Sequence, residues 1–161
     1  MHLLAKKRVR IERPTSVVFD YITDMECFPD WFPDVRDMQS GNKLAHGQVG
    51  KVYLETIKLP YGGTRQVRLI VRESIADRLF VTEAHFPPIL PRMEVTFHEL
   101  GDEDCAVDWQ MFSRNQSFLV WLFLLPMVRR VMSRRASVAM LQLKQVLEAE
   151  VPAMQLFDET A

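Results

Sequence analysis

The chain has 161 residues, 48% hydrophobic and 25% charged, the length and balance of one globular domain that can bury a core without staples. A formal net charge of -1 gives no overall electrostatic reason to bind nucleic acid, and no such partner is expected. Two cysteines, Cys27 and Cys105, are too few for a disulfide framework and lack zinc-site spacing, so a reducing compartment is expected.

The start, Met1-His2-Leu3-Leu4-Ala5, turns basic at once without an apolar stretch of signal-peptide length, which predicts cytoplasmic residence. Residues 3–12 alternate, with Ala5, Lys7, Val9 and Ile11 on one side and Lys6, Arg8, Arg10 and Glu12 on the other; this is the period of a half-buried strand. Pro14 breaks that ladder, and Thr15 or Ser16 can cap a short helix carrying Val17, Val18, Phe19, Tyr21 and Ile22. A second helical turn is expected from Asp24. The segment Phe28-Pro29-Asp30-Trp31-Phe32-Pro33 has too much proline for a long helix and enough aromatics for a packed corner.

Strand signals then follow at short spacing. Val52, Leu54 and Thr56 share one face of a run, and Val67, Leu69 and Val71 share one face of the next, with the turn Pro60-Tyr61-Gly62-Gly63 between them. Residues 79–86 form a further strand. Met93, Val95 and Phe97 lie on one face of residues 93–99, and Val107, Trp109 and Met111 on one face of 106–113, joined through Gly101-Asp102-Glu103-Asp104. Successive hairpins predict an antiparallel meander. From Met127 to Val151 the period changes: Val128, Met132, Ala136, Ala139, Leu143 and Leu147 recur three or four apart, predicting an amphipathic helix roughly 36 Å long. Such a helix can cover the apolar face of a sheet. Residues 152–161 are expected to form a tail after a single unit spanning 1–151.

The order strand, two short helices, six strands and long helix resembles the START-like (Bet v 1-like) superfamily, in particular its polyketide cyclase/dehydrase and lipid-transport branch. The resemblance covers roughly residues 3–150. It rests on Arg13-Pro14-Thr15-Ser16-Val17-Val18-Phe19 with Thr23-Asp24, on Phe28 to Val35, on Gly47 to Gly50, on Val107-Asp108-Trp109 and on Leu143-Lys144-Gln145-Val146-Leu147-Glu148. It implies an α+β helix-grip fold: a seven-stranded curved antiparallel sheet, two short helices and a long C-terminal helix around an apolar cavity. It further implies a hydrophobic small-molecule ligand such as a lipid, an isoprenoid quinone or a polyketide. A cyclase, aromatase or dehydratase using acid–base chemistry is the alternative, and a protein-interaction module is a third reading.

The residues bear on that choice. A curved sheet and a straight helix cannot touch everywhere, and Ala136 and Ala139 are too small to fill the gap. The predicted cavity lining is Phe19, Trp31, Val52, Leu54, Val67, Leu69, Val71, Val95, Phe97, Trp109, Met111, Ala139 and Leu143; the same residues would serve a closed core. In strand 79–86, Glu83 and His85 face the pocket if Leu79 and Val81 do, and could there support acid–base catalysis. If Phe80, Ala84 and Phe86 face inward instead, the pair lies outside. No nucleophile elbow, phosphate loop or dinucleotide fingerprint occurs, and His2, His46, His85 and His98 are not at ligand spacing, so neither metal nor cofactor is expected.

The stretch Phe118 to Val128 is eleven residues of unbroken apolar character, about 16 Å as a helix and so only half a hydrocarbon core. Arg129, Arg130, Arg134 and Arg135 follow. An apolar wedge with an indole inside it and arginines behind it is suited to a membrane interface, with Phe118, Trp121, Leu122, Phe123, Leu125, Arg129 and Arg130 as the contact residues. Packing into the chain's own core and burial in a homodimer are the alternatives. The Phe86-Pro87-Pro88-Ile89-Leu90-Pro91 loop is expected beside it.

Overall fold

The computed structural model describes residues 1–59 and 61–149; Pro60 of the predicted turn, the end of the predicted helix at 150–151 and the predicted tail 152–161 lie outside them. Seven strands form one antiparallel sheet: β1 (His2–Ile11), β2 (Val35–Ser40), β3 (Val52–Lys58), β4 (Thr64–Ile75), β5 (Leu79–Ala84), β6 (Pro91–Gly101) and β7 (Asp104–Ser113). Their spatial order is β1-β7-β6-β5-β4-β3-β2. The first two strands in sequence are therefore the two edges. The chain crosses between them through α1 (Thr15–Thr23), a 3₁₀ turn (Met25–Cys27) and α2 (Phe28–Trp31). Bulges between Leu3 and Ala5, Val35 and Asp37, Val71 and Glu73, and Glu99 and Gly101 bend and twist the strands, which curves the sheet.

Most elements follow the alternation in the sequence. On β1, Ala5 and Ile11 are buried while Lys6, Arg8 and Arg10 are exposed. On β4, Val67, Leu69 and Val71 are buried between exposed Gln66, Arg68 and Arg72. β2 is the strand that no periodicity singled out, because Met38 is its one buried residue. At α1 the expected cap differs. Pro14 occupies the cap position, Thr15 is the first helical residue, and the buried Thr15 hydroxyl has no hydrogen-bond partner. The aromatic corner is a stacked nest: the rings of Phe28 and Phe32 are 4.8 Å apart, Phe28 meets Trp31 edge-on at 4.9 Å, and Phe32 lies 5.5 Å from Trp109.

The long helix α3 (Leu125–Ala149) is preceded by a π-helical turn at Val120–Leu124, so helical conformation begins at 118, earlier than the expected Met127. It packs on β1 and α2 through Leu125, Ala136, Ala139, Met140, Leu143 and Leu147. Ala136 and Ala139 are fully buried. Their small side chains let the helix backbone approach the sheet, so the space beneath them is closed core, contrary to the expected gap there.

Candidate functional site

The open space lies farther toward the N-terminal half of α3. It is a cavity of about 280 Å³, walled by Val67, Leu69, Thr82, Ala84, Met93 and Met111 of the sheet, by Met25, Phe28, Phe32 and Pro33 of the aromatic corner, and by Met127, Val128, Val131 and Met132 of α3. Phe86, Ile89 and Pro91 close one side. This is the lower end of the size range of small-molecule pockets. Five methionines border it, Met25, Met93, Met111, Met127 and Met132, and unbranched thioethers adapt their shape to different apolar guests.

Of the predicted lining, Val67, Leu69 and Met111 border this cavity. Phe19, Trp31, Val71, Val95, Phe97, Trp109, Ala139 and Leu143 instead pack in the closed core. Val71, Val95, Phe97 and Trp109 lie on the inner faces of their strands, as the alternation required, but away from the open space, and Phe19 packs on Phe97 with ring centroids 5.2 Å apart. Val52 and Leu54 are a different case. In β3 the cavity-facing residues are Glu55 and Ile57, with Tyr53 fully buried on the same face, so Val52 and Leu54 point to the opposite side. Both faces of β3 carry apolar residues, and the sequence alone did not distinguish them.

That inversion brings in a residue absent from the predicted set. Glu55 presents its carboxyl to the cavity, and among the described residues no hydrogen bond or ion pair reaches it. Its cross-strand neighbours are Met38 and Val67. Glu55 is half-buried, and desolvation by the surrounding protein pushes its pKa up to about 7.

Glu83 and His85 are not among the cavity-lining residues; Thr82, Ala84 and Phe86 are, which is the second of the two orientations of strand 79–86. Glu83 lies on the outer face among Arg72 at 3.0 Å, Arg92 at 3.0 Å and Arg114 at 3.3 Å. Burial alone would raise its pKa, but the hydrogen bonds from Arg92 and Arg72 and the charge of Arg114 hold it below the usual carboxylate range. His85 is exposed. Neither side chain can meet a substrate inside the cavity.

The tertiary fold gathers Asp24, Glu26 and His46, whose ligand atoms fall within 4.8 Å of one another. These atoms are engaged internally: His46 Nδ1 lies 2.7 Å from the Tyr53 hydroxyl and 3.3 Å from Asp24, and Glu26 accepts from the Ser40 hydroxyl at 2.7 Å. Cys27 and Cys105 form no disulfide among the described residues.

Much of the apolar segment is laid open to solvent. Phe118 is 65%, Trp121 40% and Phe123 73% exposed, and Leu122 is exposed beside them. Met127 and Val131, one helical turn apart, are exposed and also border the cavity. Leu125, expected on this surface, is instead fully buried and anchors α3 to the core. Arg129 donates from Nε to the Leu3 carbonyl at 2.9 Å, which ties it to β1, whereas Arg130 and Arg134 are exposed. Arg135 pairs with Asp34 at 2.9 Å. The 86–91 loop is adjacent, since the Ser113 hydroxyl donates to the Ile89 carbonyl and the Asn115 amide to the Pro88 carbonyl, each at 2.6 Å. No helix among the described residues is long and apolar enough to cross a membrane.

The sequence matches the family described as polyketide cyclase / dehydrase and lipid transport over residues 3–148. The fold is similar to that of a START superfamily protein from Mycobacterium smegmatis, with a TM-score of 0.73 at 14% identity over 92% of this chain and 99% of that one. It is also similar to the di-domain ARO/CYC StfQ from the steffimycin biosynthetic pathway, with a TM-score of 0.67 at 11% identity over 91% of this chain and 51% of that one. A protein from Thermus thermophilus gives a TM-score of 0.66 at 13% identity over 90% of this chain and 97% of that one. These identities establish likeness of fold. No curated protein matches the sequence.

Proposed function

The chain belongs to the polyketide cyclase/dehydrase and lipid transport family, and from that premise we propose that it binds one hydrophobic small molecule in the cavity under α3 and carries or presents it. The observation that supports this is the wall itself. Apart from Glu55 and Thr82, the interior surface is hydrocarbon, sulfur or aromatic ring, and charged Asp34, Lys58 and Arg135 are the other polar members of the border. Displacing poorly held water from such a surface by an apolar guest is favourable, at about 25 cal/mol for each Å² buried. A lipid tail, an isoprenoid quinone or a polyketide-like ring fits this description. The binding unit is residues 1–151, acting in the cytoplasm.

Native mass spectrometry of the purified protein, followed by organic extraction, tests the reading. A co-purifying apolar compound of defined mass, bound one to one, is the expected result. A ligand-free mass together with no uptake of a neutral apolar fluorophore would overturn it.

A second element of the proposal concerns how the guest arrives. Met127 and Val131 belong both to the cavity border and to the exposed apolar surface, and exposed Arg130 and Arg134 flank them. We infer that residues 118–134 rest on an anionic lipid surface, with the rings of Phe118, Trp121 and Phe123 in the acyl boundary and the guanidinium groups at the head groups. The cavity mouth then opens toward the lipid. A homodimer through the same residues is the competing occupant.

A further inference from the structure

Glu55 is hard to account for as part of a purely apolar container. It sits in the middle of β3, between buried Tyr53 and cavity-lining Ile57 on the same face, with Met38 and Val67 across from it on the neighbouring strands. None of these can satisfy a carboxyl. The one polar atom among them, the Tyr53 hydroxyl, is committed to His46 Nδ1 at 2.7 Å and to the Thr23 carbonyl at 3.4 Å.

The charged groups bordering the cavity do not compensate it. Asp34 and Arg135 are paired with each other at 2.9 Å. Lys58 is exposed at the end of β3, and no contact joins it to Glu55 among the described residues. An ionised carboxylate with no partner is costly in such surroundings, so the neutral acid is favoured. A neutral acid still carries an O–H donor; Glu55 is half-buried, and once an apolar guest displaces water from the cavity that donor is left unpaired unless the guest itself offers an acceptor.

We propose that Glu55 is the polar anchor of the cavity, its neutral carboxyl donating a hydrogen bond to a carbonyl or other uncharged acceptor oxygen on an otherwise apolar ligand. The inference rests on the cavity being a ligand site and narrows the ligand class. Saturated hydrocarbon chains leave the donor unsatisfied, and carboxylate or phosphate groups placed at Glu55 would bring a negative charge into an apolar wall that offers no free cation beside it among the described residues. Cationic amines would require the ionised form in a wall that offers it no other support. A ketone, a quinone or an ester carbonyl satisfies the acid without introducing charge. Glu55 thus sets both the orientation of the ligand and the choice among apolar guests.

Displacement of the neutral fluorophore N-phenyl-1-naphthylamine by 2-decanone, decane and decylamine, at about pH 5 and about pH 9, tests the proposal. The expected result is binding of 2-decanone about tenfold tighter than decane at the lower pH, the value of one hydrogen bond. That preference should fall away at the higher pH. It should be absent in Glu55→Leu at both pH values, and pH-independent in Glu55→Gln, whose amide still donates. Equal binding of ketone and alkane at the lower pH would overturn the anchor while leaving the cavity reading intact, as would a ketone preference that survives in Glu55→Leu. Tightest binding by decylamine at the lower pH, where the proposal requires the neutral acid, would overturn it in favour of an ionised Glu55. If Glu55→Leu does not fold, the wild-type pH dependence and its loss in Glu55→Gln decide. Failure of the fluorophore and of all three compounds to bind would remove the cavity reading and the anchor together.

Discussion

Glu55 on β3 stands directly opposite Val67 on β4, and both side chains face the cavity. A carboxyl and an isopropyl group at adjacent positions of one inner wall have opposite solvation requirements. The apolar one is satisfied by folding, and the acidic one is not.

The pH dependence of stability should reveal that conflict. Folding raises the pKa of Glu55 from 4.5 to about 7, so between these values the folded state binds more protons than the unfolded chain. Stability is therefore intact below about 4.5, declines as pH rises through about 7, and is lower above it by up to about 3 kcal/mol. Chemical denaturation of wild type and Glu55→Gln across this range checks it: the variant should lose the decline, and parallel curves would refute the assignment.

Glu83 should behave in the opposite sense. Its pKa lies below the ordinary range because Arg92, Arg72 and Arg114 outweigh its burial, so its contribution is present above the unfolded pKa and lost as pH falls through the folded one. Glu83→Gln should cost about 2 kcal/mol near neutral pH, since charged hydrogen bonds from Arg72 and Arg92 and the ion pair with Arg114 are removed. Uptake of an apolar fluorophore by the folded variant should be unchanged. A variant that folds with wild-type stability but no longer binds would assign Glu83 a role at the ligand.

Leu69 and Ala139 separate the open and closed parts of the interior. Leu69 borders the cavity, whereas Ala139 is fully buried in the core. Leu69→Trp should grow into free space, keep the fold and reduce fluorophore affinity about tenfold or more by occupying the site. Ala139→Leu should instead destabilise by about 1–3 kcal/mol through overpacking, with affinity retained. Thermal unfolding and a fluorophore titration on both variants would show whether the boundary lies where the structure puts it.

Trp121 is a built-in reporter of the lipid surface, because it is 40% exposed while Trp31 is 1% and Trp109 0% exposed. Vesicles containing phosphatidylserine should shift the emission to the blue, and Trp121→Phe should abolish the shift. Arg130→Gln with Arg134→Gln should weaken binding by about 1 kcal/mol for each charge, most clearly at low salt. An unshifted spectrum together with no cosedimentation would exclude the membrane; a dimer in light scattering that Leu122→Glu dissolves would install the second copy as the occupant.

Much of the architecture was legible in the residue pattern. Alternation at Val67, Leu69 and Val71 defined β4 and its inner face; the spacing of Ala136, Ala139, Leu143 and Leu147 defined the inner face of α3. The unbroken apolar run at 118–128 stood out without coordinates. These features are local, because strand and helix periods are properties of a few successive residues. β2 was not legible, since one buried residue, Met38, leaves no period to detect.

The site was legible only in part, for reasons that are not local. Which face of β3 turns inward depends on its register with β4, and Val52 and Glu55 are both compatible with a strand. Where the interior stays open depends on how closely α3 approaches the sheet. The buried Ala136 and Ala139 bring it close at one end, and the aromatic corner of Phe28 and Phe32 leaves space at the other. The amino-acid order by itself determined the elements and their apolar faces, because side-chain period follows from backbone geometry. Only tertiary packing decided that Glu83 joins an arginine cluster outside while Glu55 stands unpaired within, because a carboxyl's partner and its solvation are set by residues distant in the chain.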